Sequence, residues 1–250
     1  MFMRHSLKAV ELGITVYDAI YLVGNMKSWA KKVWNILRRN ISIPEGHFVV
    51  DFTDNPFGLL VAIILSQNTS DKNSIRALLN LKDKIGLDPA RICEAKIGEI
   101  ERAIYSAGLY RQKAKAIKNL ARKVIEGLDL KKILKLETKE ARKILLGLEG
   151  IGKKTVDVFL ALHGKRIMGV DVHARRIALR WGIAKKDSYD EIQKAYVELF
   201  DFVDNYDYLH RLLIMLGREY CRARNPRCDE CPLRKICPKK GVKNKLRAHF

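Results

Sequence analysis

Residues 139–162 read Lys139-Glu140-Ala141-Arg142-Lys143-Ile144-Leu145-Leu146, then Gly147-Leu148-Glu149-Gly150-Ile151-Gly152, then Lys153-Lys154-Thr155-Val156-Asp157-Val158-Phe159-Leu160-Ala161-Leu162. The outer segments carry apolar residues at helical spacing, and the inner one is a glycine turn. Gly150 and Gly152, with Ile151 between them, permit a tight hairpin whose amides point outward while Ile151 anchors the turn in the core. Amides gathered at a helix N-terminus accept a phosphate oxygen. Lys153 and Lys154 fall in the first turn of the second helix, where the macrodipole disfavours cations. Two lysines there read as a backbone contact to a polyanion plus a reactive amine, because neighbouring cations destabilise its charged form. A plain helical corner with two solvated lysines is the simpler alternative.

Outward from this hairpin, nearly every patterned segment is helical. Trp29–Arg39 is amphipathic, with Trp29, Val33, Trp34 and Leu37 on one stripe. Pro56 opens an apolar run to Leu65, as proline favours the first helical turn. Further helices are expected at Ser74–Leu81, Ile97–Ala107, Lys113–Glu126, His173–Trp181, Tyr189–Phe200 and Asp207–Glu219. Alternating strand patterns of useful length are missing, so the fold class is all-α. Residues 1–26 form a separate N-terminal extension and 241–250 a basic tail.

The chain has 250 residues, 48% of them hydrophobic, enough for one large or two small packed domains. Lys plus Arg number 48 against 28 Asp plus Glu, a net charge of +20. Such a balance points to a polyanionic partner, nucleic acid before an anionic membrane. The most apolar early stretch, Val10 to Met26, carries Glu11 and Asp18 and lacks the build of a span or a secretory signal, so an intracellular location is expected.

Two further constellations carry chemistry. Asp171 emerges from an apolar stretch at a helix start, before Val172 and His173; an N-cap role is the default there and is compatible with stabilising a sugar cation. Cys221, Cys228, Cys231 and Cys237 form a Cys-x6-Cys-x2-Cys-x5-Cys cluster. Clustered cysteines in an intracellular chain indicate metal rather than disulfides. A structural zinc usually takes two Cys-x2-Cys knuckles, and only Cys228–Cys231 has that form, so the spacing suits a cubane [4Fe–4S] cluster better than zinc. Interleaved Arg222, Arg224, Arg227, Arg234 and Lys235 make the loop basic. Cys93 stands apart and reads as a small buried apolar residue.

Leu148–Thr155, Val170-Asp171-Val172-His173 and the cysteine loop, in this order, resemble endonuclease III, the helix-hairpin-helix DNA glycosylase family with a terminal iron–sulfur loop. Asn55-Pro56-Phe57 through Ser66-Gln67-Asn68-Thr69-Ser70-Asp71 is similar to its first barrel helix, and Gly108-Leu109-Tyr110-Arg111-Gln112-Lys113-Ala114 to a further family loop. The resemblance covers about 28–240. It implies a two-lobed helical glycosylase fold. A six-helix barrel at 56–166 holds the helix-hairpin-helix at about 139–162, and an iron–sulfur lobe is built from 27–55 and 167–240. It further implies Lys154 and Asp171 as catalytic residues and the four cysteines as ligands of a [4Fe–4S] cluster. DNA contacts would come from Gly150, Ile151, Gly152, Lys153, Gln67, Asn68, Leu109 and His173. Leu109 matches the wedge residue; Asn68 stands where the family usually has Gln, the residue that fills the gap left by a flipped base.

The implied activity is that of a monomeric bifunctional glycosylase and abasic-site lyase on double-stranded DNA, removing oxidised pyrimidines through a lysine Schiff base and β-elimination. Alternatives are the same scaffold acting on uracil or thymine mismatches or an oxidised purine, and a non-catalytic iron–sulfur DNA-binding protein.

Overall fold

The computed structural model describes residues 16–242, and every regular element among them is helical. Residues 1–15 and 243–250, most of the N-terminal extension and the basic tail, lie outside the described residues. Twelve α-helices follow in order: α1 (Val16–Asn40), α2 (Pro56–Ser66), α3 (Asp71–Lys84), α4 (Pro89–Glu94), α5 (Ile97–Ala103), α6 (Tyr110–Ile125), α7 (Leu130–Lys135), α8 (Thr138–Leu146), α9 (Lys153–Leu162), α10 (Val172–Trp181), α11 (Tyr189–Leu199) and α12 (Tyr206–Glu219). Short 3-10 turns occupy Val49–Phe52 and Tyr105–Ala107. No helix among the described residues is long and apolar enough to cross a membrane.

The chain divides into two compact units. One spans 43–171 and 204–210; the other combines the described parts of 1–42 and 211–250 with 172–203. Segments 43–55, 167–171 and 204–210, expected with the cluster lobe, group with the hairpin unit; the 3-10 turn 49–52 packs on α2 and α3 and buries Val49. The expected boundary at 26/27 falls inside α1.

The hairpin unit is built round α2, whose residues Phe57 to Leu65 are all buried. A helix apolar on every side is stable only when enclosed, and α3, α6, α7 and α9 pack around it. Asn55 caps its start by accepting from the Gly58 amide, and Pro56 sits in its first turn. The helices α4 and α7 have six residues each, too few to show a helical period; their signals are the caps Asp88 and Asp129, which accept from the Ala90 and Lys132 amides.

In the other unit, Ala30, Val33 and Leu37 of α1 are fully buried. Trp29 and Trp181 meet edge to face at 5.4 Å, and Trp181 continues into Tyr196 and Phe200. The Tyr196 hydroxyl donates to the Ala174 carbonyl at 2.8 Å, joining α11 to α10. The Trp29 indole N–H donates to the Ile236 carbonyl at 2.8 Å, tying α1 to the cysteine loop.

Candidate functional site

The hairpin forms as its glycines require. Gly150 has φ +77°, and a Cβ there would lie 2.5 Å from the Ala116 Cβ of α6, so only glycine fits. Ile151 is buried, anchoring the turn. At Gly152 a Cβ would meet nothing within 4 Å; Gly152, Lys153 and Lys154 are all exposed. The turn therefore presents an open edge at the N-terminus of α9, with Lys154 in its first turn.

A buried ion pair clamps the two hairpin helices. Asp157 on α9 is fully buried and receives Arg142 of α8 in a two-pronged pair, Nε to Oδ1 at 2.7 Å and Nη2 to Oδ2 at 3.2 Å. A second tie reaches α9 from the end of α2: Gln67 Nε2 donates to the Thr155 hydroxyl at 2.9 Å, and Thr155 directly follows Lys154. Gln67 is thus turned inward, whereas Asn68 is exposed in the left-handed conformation at φ +50°. Of the two candidates, Asn68 is the one presented to solvent.

The same loop is held by Lys113. This buried amine donates to the carbonyls of Leu65, Gln67 and Ala107 at 2.9, 2.7 and 2.8 Å, satisfying all three ammonium hydrogens. Burial pushes its pKa down to about 8. Lys113 therefore fixes both the Gln67–Asn68 loop and the 3-10 turn that leads to Leu109. Leu109 itself is half exposed and left-handed, φ +47°, beside exposed Tyr105, whose ring packs on Tyr110 at 4.9 Å. A leucine strained in this way and left exposed is unusual; the conformation costs about 1–3 kcal/mol and persists where function uses it.

Asp171 lies in the same unit, immediately before α10. The preceding segment runs close against α9: a Cβ on Gly169 would meet Val158 Cγ2 at 2.4 Å. Val158 is one helical turn beyond Lys154 on α9. The Asp171 side chain is 10% exposed, with His210 Nε2 3.7 Å from its Oδ1.

The remaining sites belong to the other unit. His173 Nδ1 lies 2.9 Å from Arg176 Nη2 and packs on Gly217, while Arg176 also donates to the Cys221 and Gly217 carbonyls. Cys221, Cys228, Cys231 and Cys237 line one small cavity together with Trp181, Tyr220 and Leu233. Among the described residues no three His, Cys, Asp or Glu side chains gather as a single metal ion requires. Burial pushes the Cys231 thiol up to about 11 and the Cys237 thiol in the same direction, with Cys221 and Cys228 adding to both. Four thiolates are tolerable there only when bonded to a cationic core, which fits a polynuclear cluster. Arg180 donates to Cys221 Sγ at 3.1 Å and to the Arg222 carbonyl at 2.8 Å, steadying the loop. Arg222, Arg224, Arg234 and Lys235 are exposed, and Arg227 is paired with Glu230. Cys93, expected to be buried, is half-buried on α4.

Comparison with known proteins decides the family. A family model described as HhH-GPD superfamily base excision DNA repair protein matches residues 61–201, and one described as the iron–sulfur binding domain of endonuclease III matches 221–237. The chain is 36% identical over 215 residues to endonuclease III of Sulfolobus acidocaldarius, covering 83% of this chain and 95% of that one. The chain belongs to the endonuclease III family. Endonuclease III of Bacillus subtilis is 35% identical, over 73% of this chain and 81% of its own. A solved structure described as a trapped endonuclease III–DNA covalent intermediate, an estranged-adenine complex, superposes with a TM-score of 0.67 at 26% identity, covering 84% of this chain and 96% of that one. This endonuclease III-family protein is a DNA-binding base-excision glycosylase with an all-α fold, and its cysteine loop is a [4Fe–4S] site. Sequence reasoning missed Lys113, the Arg142–Asp157 pair and His210. The available signal was a charged residue within an apolar helical stripe: Lys113 beside Ala114 and Ile117, and Asp157 between Val156 and Phe159.

Proposed function

We propose that this protein is a bifunctional glycosylase and abasic-site lyase that removes oxidised pyrimidines from duplex DNA, with Lys154 as nucleophile and Asp171 as its partner. The observation that carries the reading is Lys154 itself, an exposed amine in the first turn of α9 directly after the open glycine turn. A relative captured as a covalent intermediate with DNA supports a nucleophile of this kind.

The chemistry follows from the groups present. The hairpin amides and Lys153 hold the DNA backbone, giving affinity without sequence readout. The damaged nucleotide must leave the stack before its C1′ is reachable, and Leu109 wedges into the duplex as it does so. Asn68 faces the space the base leaves. The neutral Lys154 amine attacks C1′ as the C1′–N bond breaks; the base departs with the electron pair and takes up a proton. Asp171 stabilises positive charge on the sugar and accepts a proton from the amine. Ring opening leaves an iminium between Nζ and C1′. Loss of a C2′ proton then expels the 3′ phosphate, cutting the strand, and water releases the lysine. Cys221, Cys228, Cys231 and Cys237 hold the cluster, which supplies a cross-link that shapes the basic loop. In this reading the protein acts as a monomer.

The test is a panel of duplexes, each with one defined lesion, assayed for base release and strand cleavage. Release of oxidised pyrimidines with cleavage is expected. Selective release of uracil, thymine mismatches or an oxidised purine would overturn the substrate, and base release with no cleavage would overturn the lyase step.

A further inference from the structure

His210 lies in the first half of α12, counted with the hairpin unit, and its side chain is 5% exposed. Its Nε2 is buried and has no hydrogen-bond partner. A buried ring nitrogen left unsatisfied costs free energy that a leucine of similar size would not, so packing alone does not account for histidine here. The acidic group it faces is Asp171, with Oδ1 3.7 Å away. Contact is enforced from the opposite side as well. Gly169 lacks a Cβ, and one built there would lie 3.4 Å from His210 Cε1 and 2.4 Å from Val158 Cγ2, so the Asp171 segment is pinned between His210 and α9.

We propose that His210 is a positioning residue for Asp171, its Nε2–H closing onto Oδ1 when DNA is bound and so aiming the carboxylate at the sugar and Lys154. The proposal rests on the role of Asp171 given above. The gap to an ordinary N–H···O length is about 0.8 Å, and hydrogen bonds that serve catalysis are often long before substrate arrives and tighten in the complex. His210, a buried side chain, acts through Asp171 rather than on the reacting atoms.

The experiment measures single-turnover base release with protein in excess, alongside the Kd for an uncleavable duplex. His210→Leu removes the donor and keeps the volume, and should slow base release about 10- to 100-fold, the scale of a small misplacement of a catalytic group. Its Kd should stay within about twofold of wild type, because the lost interaction matters only in the transition state. His210→Gln places an amide N–H near the position of Nε2 and should recover most of the rate. In an Asp171→Asn background, His210→Leu should have no further effect. A wild-type rate for His210→Leu, or equal losses in the Leu and Gln variants, would overturn the proposal. Should His210→Leu not fold, His210→Asn, whose shorter amide falls short of that position, is compared with His210→Gln, and equal rates would overturn it. A full rate for Asp171→Asn alone would instead sink the role of Asp171, which separates the two failures.

Discussion

Arg142→Met tests whether the hairpin that carries Lys154 is held by a buried charge pair. Asp157 is fully buried, and Arg142, 22% exposed, reaches it through two charge-assisted hydrogen bonds. Net contributions of about 1.5–3 kcal/mol for each bond to a charged group give roughly 3–6 kcal/mol. Breaking a buried pair and stranding one charge costs about 3–5 kcal/mol by independent reckoning, so a loss near 4 kcal/mol is expected. Replacing both partners, Arg142→Met with Asp157→Leu, should recover most of that loss, since an apolar pair of similar volume is often neutral or better. The double-mutant cycle then gives a coupling of several kcal/mol. The assay is hydrogen exchange on peptides spanning 138–162 with far-UV circular dichroism during denaturation. All three tryptophans, Trp29, Trp34 and Trp181, lie in the other unit, so their fluorescence does not report the hairpin directly. A loss under about 1 kcal/mol for Arg142→Met, or a double variant as unstable as the single, would refute a buried pair of this strength.

Three further outcomes follow from the same structure. Lys113 has a folded pKa of about 8 against an ordinary value of 10.5, so between those pH values the unfolded chain holds more of its proton; stability should rise with pH through that window, and the gap between wild type and Lys113→Met in denaturation should widen there. Gly150→Ala meets Ala116 and a positive φ and should lose about 2–4 kcal/mol, seen as a lower Tm, whereas Gly152→Ala should keep its Tm and weaken binding to every duplex in fluorescence anisotropy, with log Kd still linear in log salt. Anaerobically purified protein should be yellow-brown and contain four irons per chain on elemental analysis; Cys228→Ala should lose iron and DNA affinity together, while stoichiometric zinc without iron would contradict the cluster.

The parts of the site legible in the sequence were those set by local chain chemistry. Gly150, Ile151 and Gly152 announce a turn because backbone sterics demand glycine, and the structure adds only the reason from outside, the Ala116 side chain. The cysteine spacing is similarly local. What could not be read were contacts made across long sequence separations. Gln67 and Asn68 are adjacent and chemically alike, and only the Thr155 hydroxyl, 88 residues from Gln67, decides which turns inward. The role of Lys113 is set by three carbonyls from two other segments that converge on it. His210 sits in an ordinary amphipathic helix, and its meaning depends on a glycine and an aspartate some forty residues earlier. Helices α4 and α7 were missed for a different reason: one and a half turns contain no period to detect.

The most direct test of the central claim is borohydride trapping on a duplex that carries one oxidised pyrimidine. Reducing the iminium during turnover should leave a stable protein–DNA crosslink in the wild type, and peptide mapping should place it on Lys154. Lys154→Gln, which keeps the side-chain length and loses only the amine, should give neither crosslink nor strand cleavage while still binding DNA. Lys153→Gln should bind more weakly yet trap at saturating protein. A crosslink that persists in Lys154→Gln and vanishes in Lys153→Gln would assign the nucleophile to Lys153 and overturn the role of Lys154, and no crosslink in the wild type would contradict a covalent mechanism altogether.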